Sequence, residues 1–91
     1  SPLVALNRAV AVSMASGPAA GLAELDSLAT TAELRRFHLW HSARARLLEE
    51  LGRLTEAGAA YRAALEKVGN DPEREFLARR LEHVEQRQRR K

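Results

Sequence analysis

The stretch WHSARARLLEELGRLTEAGAAYRAAL, residues 40–65, determines the fold that this sequence predicts. Apolar and small residues recur in it every three or four positions on both sides of Gly52, which is the spacing of two amphipathic helices. A glycine between two such segments commonly adopts the left-handed conformation that ends a helix. No reactive constellation appears in this stretch. The residues themselves therefore indicate an all-α module of antiparallel helical hairpins.

Composition supports this interpretation, because Ala, Leu, Glu and Arg are abundant and aromatic residues make up only 4% of the 91 residues. The chain begins with Ser rather than Met, and we expect it to be a fragment of a longer protein. It contains no cysteine, which excludes disulfides and thiolate metal sites and is typical of a cytoplasmic protein. No apolar run approaches the roughly 18 residues of a membrane span, so we expect no membrane partner.

The net charge of +3 is concentrated at the C-terminus. Six basic and two acidic residues give residues 79–91 a charge of +4, so residues 1–78 sum to −1. A body so close to neutrality is unlike a DNA-binding surface, which needs clustered cations on one face. The basic end is interpreted as a solvated helix end whose cations complement the helix dipole, with a contact to nucleic acid or to an acidic protein as the alternative.

Turn and capping residues predict about five helices with short connections, which makes sequential helices antiparallel neighbours. The predicted spans are about 2–15, 18–29, 31–51, 55–68 and 71–84, and the third is the longest element unless it breaks near Arg36. The boundary signals are an N-cap at Ser1, a turn at Gly17 and Pro18, a capping box of Thr30 with Glu33, and N-caps at Thr55 and Asp71. Residues 1–84 are assigned to one domain. Residues 85–91 form a basic tail that is predicted to fray, because no apolar residue follows Val84.

The first and the last predicted helix carry apolar residues at helical spacing. The first helix places Leu3, Leu6, Val10 and Met14 on one side, and the last helix does the same with Phe76, Leu77, Leu81 and Val84.

The spacing around Gly52 matches the second half of a tetratricopeptide (TPR) repeat. In such a repeat, small residues let two helices approach and an aromatic residue fills the gap between them. Ala57, Tyr61 and Ala64 follow the glycine at the matching offsets, and Ala45 precedes it. The first two helices would form an earlier, degenerate copy, and the last helix would shield the open end of the stack. The alternative is a generic helical bundle with a coincidental match.

Reactive groups in an enzyme-like arrangement are absent from the sequence. His38 and His41 are spaced to share a helical face, but no cysteine or suitably spaced carboxylate completes a metal site, so they are interpreted as polar residues flanking Trp40. No nucleophile elbow, phosphate loop or dinucleotide fingerprint is present. Glu49 and Glu50 are adjacent and point apart on a helix, so they do not form an acid–base pair. We expect neither catalysis nor a cofactor.

Polar residues on otherwise apolar helices suggest an interaction groove formed by the first helices of the repeats. The alternative is that one or two of these residues make structural bonds between helices. The candidate groove residues are Asn7, Arg8, His38, His41, Arg44 and Arg46.

Five segments carry a more specific pattern: ALNRAVAV (residues 5–12), the turn at Gly17 and Pro18, HLWH (38–41), LGR (51–53) and EREFLARR (73–80). Together they resemble the C-terminal extension of a group of bacterial extracytoplasmic-function (ECF) RNA polymerase sigma factors. The resemblance covers most of the chain, from residue 1 to about residue 81. The sequence departs from that pattern in the sign of the charge at Arg46 and at Glu49 and Glu50.

The resemblance implies a TPR-like regulatory domain of a transcription initiation factor. Its partners would be the upstream sigma domains and core RNA polymerase, and promoter DNA would be contacted only by sigma regions outside these residues. The alternative is a stand-alone TPR-like scaffold that binds a peptide or associates with itself as a homo-oligomer.

Overall fold

Six α-helices make up the computed structural model, which describes residues 2–29 and 32–90. They are α1 (Pro2–Ser16), α2 (Pro18–Ser27), α3 (Ala32–Arg35), α4 (His38–Glu50), α5 (Leu54–Lys67) and α6 (Asp71–Arg89). Packing follows chain order, with α1 against α2, α2 against α4, α4 against α5, and α5 against α6. The prediction of an all-α fold of antiparallel helical hairpins is confirmed.

The turn between α4 and α5 has the conformation that the sequence predicts. Gly52 has a φ of +76°, in the left-handed region that glycine adopts without steric cost. The Arg53 N–H donates to the Leu48 carbonyl at 2.9 Å, and the Gly52 N–H donates to the Glu49 carbonyl at 3.0 Å. This pair of bonds is a Schellman motif, which satisfies the last carbonyls of α4 and reverses the chain.

The TPR-type positions are buried where the spacing places them. Ala45, Ala57 and Ala64 are fully buried, and Tyr61 is 2% exposed. The missing side-chain bulk at the three alanines lets helices approach closely, and the Tyr61 ring occupies space that remains. The small residues and the Tyr61 ring share this core with buried leucines of the same hairpin, Leu47, Leu48 and Leu54.

The segment predicted as one long helix unless it breaks near Arg36 does break there, because the chain turns at Arg36 and Phe37 between α3 and α4. Phe37 has an extended backbone, with a φ of −90° and a ψ of 114°. Leu34 and Trp40 are both buried, yet in a continuous helix they would point about 120° apart around the helix axis. The break lets both side chains reach the core. The Trp40 indole N–H then donates to the Leu25 carbonyl at 3.0 Å and ties α4 to α2.

Two predicted N-caps are wrong by one or two residues. Arg53 precedes α5 without a side-chain cap, and the Thr55 hydroxyl instead accepts a hydrogen bond from the Gln88 amide at 3.0 Å. Asn70, not Asp71, caps α6. The side-chain oxygen of Asn70 accepts a hydrogen bond from the Glu73 N–H at 2.9 Å, and the side-chain amide nitrogen of Asn70 donates to the Glu73 carboxylate at 3.0 Å. The pair resembles a capping box, except that the Glu73 carboxylate accepts from the Asn70 side-chain amide and not from its backbone N–H. The predicted caps at Ser1 and Thr30 lie outside the described residues.

Helix α6 continues to Arg89, five residues beyond the predicted end of the domain at Val84. Polar contacts replace the missing apolar stripe, because Glu85 lies 3.4 Å from Arg62 and Gln88 reaches Thr55 on α5. The predicted fraying from residue 85 is therefore corrected to a helix through Arg89. Helix α2 ends at Ser27, about two residues earlier than predicted. No helix among the described residues has the length and apolarity needed to cross a bilayer.

Gly21 marks the closest approach of α1 and α2. A Cβ atom added there would overlap the Ser13 side chain and lie 3.0 Å from the Ser13 Cα atom. We predict that Gly21→Ala lowers the free energy of unfolding by about 1–2 kcal/mol, because overpacking outweighs the gain in helix propensity. Chemical denaturation followed by circular dichroism measures the change.

Gly58 supplies the matched control, since it is also buried within a helix. A Cβ atom added there would meet nothing closer than 3.5 Å, so Gly58→Ala should stabilise the protein by about 0.5–1 kcal/mol. Equal effects of the two substitutions would contradict the close packing of α1 on α2.

Candidate interaction groove

A groove of about 610 Å³ runs between α1, α4 and α6, with Tyr61 of α5 among its lining residues. Two pairs of contacts give the directions of α4 and α6. His38 near the start of α4 lies beside Glu73 near the start of α6, and Glu49 at the end of α4 contacts Arg80 further along α6. The two helices therefore run in the same direction, and the groove has one end near their N-termini and another towards their C-termini.

Large apolar side chains line the walls of this groove and remain open to solvent. Leu3 is 48% exposed and Val10 is 41% exposed on α1, while Phe76 is 54% exposed on α6. These three side chains belong to the apolar sides predicted for α1 and α6, but no neighbouring helix covers them fully. Met14, also predicted in the stripe of α1, is 83% exposed, and Leu6 and Ala9 provide the buried contacts of that helix instead. Solvent-exposed apolar residues that share one concavity indicate a binding surface.

Two arginines make the groove basic at the end that lies towards the C-termini of α4 and α6. Arg46 of α4 and Arg80 of α6 line it, and none of the acidic side chains that the structure describes does. Arg46 is exposed, and within the described ranges no carboxylate lies within 4 Å of its guanidinium. Arg80, in contrast, is bound to Glu49. The two cations therefore differ: one is fixed by the protein, and the other retains its full charge towards solvent.

Glu49 is the buried charge behind the basic end. It is 7% exposed, and its carboxylate accepts hydrogen bonds from the Tyr61 hydroxyl at 3.0 Å and from the Arg80 guanidinium. His83 and Arg87 each place a nitrogen 3.7 Å from the same carboxylate. Burial by itself would raise the pKa of Glu49, but the hydrogen bonds from Arg80 and Tyr61 outweigh burial and hold the pKa below its usual value. Glu49 is therefore ionised near neutral pH.

The six predicted groove residues do not line one surface. Asn7 and Arg46 lie in the groove. Arg8 is exposed on α1 but does not line the groove. The remaining three predicted residues contact other parts of the fold: His38, His41 and Arg44.

Each of these three residues makes a structural contact, which is the alternative that the sequence left open. Arg44 donates to the Asp26 carboxylate at 2.7 Å and lies over the Trp40 ring at 5.8 Å. A ring nitrogen of His41 lies 2.6 Å from the Arg35 carbonyl, at the break between α3 and α4. The His38 Nε2 atom is 2.7 Å from the Glu73 carboxylate, within ion-pair distance but without the geometry of a hydrogen bond.

His41 illustrates why the histidine pair does not resemble a metal site. Burial lowers the pKa of His41, and the bond to the Arg35 carbonyl only partly offsets this effect. The neutral ring therefore donates its Nε2 proton to a backbone carbonyl rather than offering that nitrogen to a cation. Across residues 2–29 and 32–90, no three His, Cys, Asp or Glu side chains come together in a group suited to a metal ion.

Comparison with known proteins finds one similar segment in a much longer protein. Over 84 residues, 92% of this chain, the sequence is 39% identical to Uncharacterized protein R00370 of Rhizobium meliloti strain 1021. The chain spans 19% of the length of that relative. No family model matches the sequence, and no solved structure matches it.

The contacts of Glu49 generate a stability prediction. Glu49→Gln should lower the free energy of unfolding by about 1–2 kcal/mol, because the neutral amide keeps the shape of the side chain but loses the charge-assisted bond to Arg80. Glu56→Gln is the control, since the fully exposed Glu56 pairs with Arg53 at 2.7 Å and should change stability much less. Denaturant titrations of both variants measure the effects.

The stabilities of wild type and Glu49→Gln, compared across pH, test the charge state of Glu49. Because the pKa of Glu49 is lower in the folded protein than its ordinary value of 4.5, the ionised carboxylate stabilises the fold fully above about pH 4.5. This contribution is lost as the pH falls through the folded-state pKa. The stability difference between wild type and Glu49→Gln should therefore shrink on acidification below about pH 4.5. A difference that grows instead would mean that burial dominates.

Proposed function

We propose that this chain is the C-terminal regulatory domain of an ECF-type RNA polymerase sigma factor and that its groove is the surface through which it acts. The observation that carries the proposal is where the resembling segments fall. ALNRAVAV (residues 5–12) lies in α1, HLWH (38–41) begins α4, and EREFLARR (73–80) lies in α6. The three segments thus belong to the three helices that line the groove.

The domain would modulate initiation by protein contact rather than by chemistry or by reading DNA. Its partners would be the upstream sigma domains and core RNA polymerase in the cytoplasm, with promoter DNA bound only by the sigma regions. It would need no cofactor and would not be an enzyme. The charge of −1 over residues 1–78 supports this division of labour, because duplex DNA binding relies on clustered Lys and Arg.

The length of the Rhizobium meliloti relative supports a multidomain parent. Four fifths of that protein lie outside the segment that resembles this chain, which leaves room for further domains. A domain of 91 residues has a small core, and attachment to neighbouring domains suits such a unit.

A stand-alone TPR-like scaffold that binds a peptide or associates with itself is the second candidate. Val4 and Met14 favour it, since these two apolar side chains are 59% and 83% exposed on α1 and do not line the groove. A second copy that covered them would bury apolar surface that this chain leaves open to water.

Run-off transcription with core polymerase and the full-length parent distinguishes the two candidates. We expect the parent to direct initiation from a cognate template and expect deletion of residues 1–91 to change the yield. Phe76→Lys in the groove should reproduce part of that change, whereas Arg79→Gln, on the same helix but outside the groove, should not. A parent that directs no initiation would contradict the sigma-factor assignment and favour the scaffold.

The isolated domain should bind duplex DNA weakly and without sequence preference. Its cations are concentrated at one helix end rather than on a face, and weak binding of that kind is lost as salt rises. Fluorescence anisotropy with random and promoter-derived duplexes, measured across salt concentrations, tests this expectation. A tight, sequence-selective complex at physiological salt would be the contrary result.

A further inference from the structure

We propose that the groove binds a peptide segment in which large apolar side chains are followed, about 10 Å further along, by a carboxylate that pairs with Arg46. This proposal deepens the proposed function and rests on it in treating the groove as the interaction surface. It adds the chemistry of the partner: an apolar and acidic segment of protein, rather than nucleic acid, a lipid surface or a basic peptide.

The apolar half of the ligand follows from the end of the groove near the N-termini of α4 and α6. Leu3, Leu39 and Phe76 line this part, and Leu3 and Phe76 are about half exposed. Burying an exposed aliphatic or aromatic side chain is favourable in proportion to the area removed from water. A ligand that places two or three apolar side chains here gains most of its affinity from that burial.

The acidic half follows from the charge of the lining. Arg46 and Arg80 are the charged side chains among the described lining residues; Glu49 neutralises Arg80 from behind the lining, whereas Arg46 engages no carboxylate in the described part of the chain. Glu49, which lies behind Arg80, is occupied by Tyr61 and Arg80. A basic ligand would meet two guanidinium groups, whereas a carboxylate would meet complementary charge. Electrostatic complementarity of this kind mainly sets specificity.

Arg46 and Arg80 have different tasks at this end. Arg46 is exposed and, within the described residues, engages no carboxylate, so it is the primary receptor for the acidic group of the ligand. Glu49 holds Arg80 in place, and a guanidinium carries five N–H donors, so Arg80 retains donors for a second acceptor. Arg80 is thus a pre-positioned secondary contact, and Glu49 acts on the ligand only through it.

The spacing of the ligand follows from the geometry of α4. Leu39 and Arg46 are seven residues apart on one helix, which corresponds to a rise of about 10 Å. An extended peptide covers that distance in about three residues, and a helical peptide covers it in about seven. The carboxylate can come from an Asp or Glu side chain or from a free C-terminus, since both present the same two oxygens.

Selection from a random peptide library on the 91-residue chain tests the proposal without assuming a sequence. We expect enriched peptides to contain at least two large apolar residues and more Asp and Glu than Lys and Arg. Peptides displayed with free and with blocked C-termini distinguish the two sources of the carboxylate. Enrichment of basic peptides, or no enrichment over an unrelated control protein, would overturn the proposal.

Point variants then assign the contacts, with the enriched peptide as the probe in fluorescence anisotropy. Arg46→Gln should weaken binding about tenfold, the factor that a loss of about 1.4 kcal/mol produces, and the amide analogue of the peptide should bind wild type equally weakly. Phe76→Ala should also weaken binding. Arg79→Gln, which removes an exposed charge outside the groove, should not. All three substituted side chains are exposed, and circular dichroism checks that each variant is folded.

Three results would overturn the proposal, and none of them depends on transcription. One is binding that is insensitive to Arg46→Gln and to the amide analogue. Another is binding that is insensitive to Phe76→Ala. The third is a dimer in sedimentation that dissociates on Phe76→Lys, which would make a second copy the occupant of the groove. If the parent directs initiation but these binding results contradict the proposal, the sigma-factor assignment stands and only the ligand of the groove is wrong. If the parent directs no initiation but the peptide binds as expected, the chain is a peptide-binding scaffold.

Discussion

The buried carboxylate of Glu49 is the constraint on which the arrangement of the last three helices depends. It belongs to α4, its hydrogen-bond donors Tyr61 and Arg80 belong to α5 and α6, and it is 7% exposed. Removing one partner of a buried ion pair leaves the other charge unpaired and destabilises a protein by about 3–5 kcal/mol. The carboxylate therefore tolerates only the registers of α5 and α6 that deliver those donors. Because Phe76 precedes Arg80 by four residues on one helical face, the same register turns Phe76 towards the groove.

The sequence is most informative where a local pattern has a single physical solution. Gly52 between two apolar stripes predicts a reversal, and the structure has one. The small residues Ala45, Ala57 and Ala64 predict close helix packing, and all three are buried. The break at Arg36 and Phe37 is different, since neither residue is a helix breaker. The chain turns there so that Leu34 and Trp40 can both reach the core, a tertiary requirement that no local spacing announces.

Sequence patterns predicted the groove less well than the fold, and the reason lies in what amphipathic spacing measures. A stripe of apolar residues shows that a helix has an apolar face, but it does not show that a neighbour covers the face. Leu3, Val10 and Phe76 satisfy the pattern and remain exposed. The reverse holds for two polar residues: Arg44 and His41 were predicted to line the groove, but they join helices instead. Glu49 and Arg80 lie 31 positions apart, so only the folded chain brings them together.

The two walls of the groove lie at opposite ends of a stack in which each helix packs mainly on the next. Helix α1 packs on α4 as well as on α2, and α6 is bonded to α4 by Arg80 and Glu49 as well as packed on α5. Helix α4 therefore lies between the two walls, and its contacts on either side set the distance between Leu3 and Phe76. An occupant that bridged both walls would add a direct link between the first and the last helix, and the three helices would then share one ligand as they now share α4.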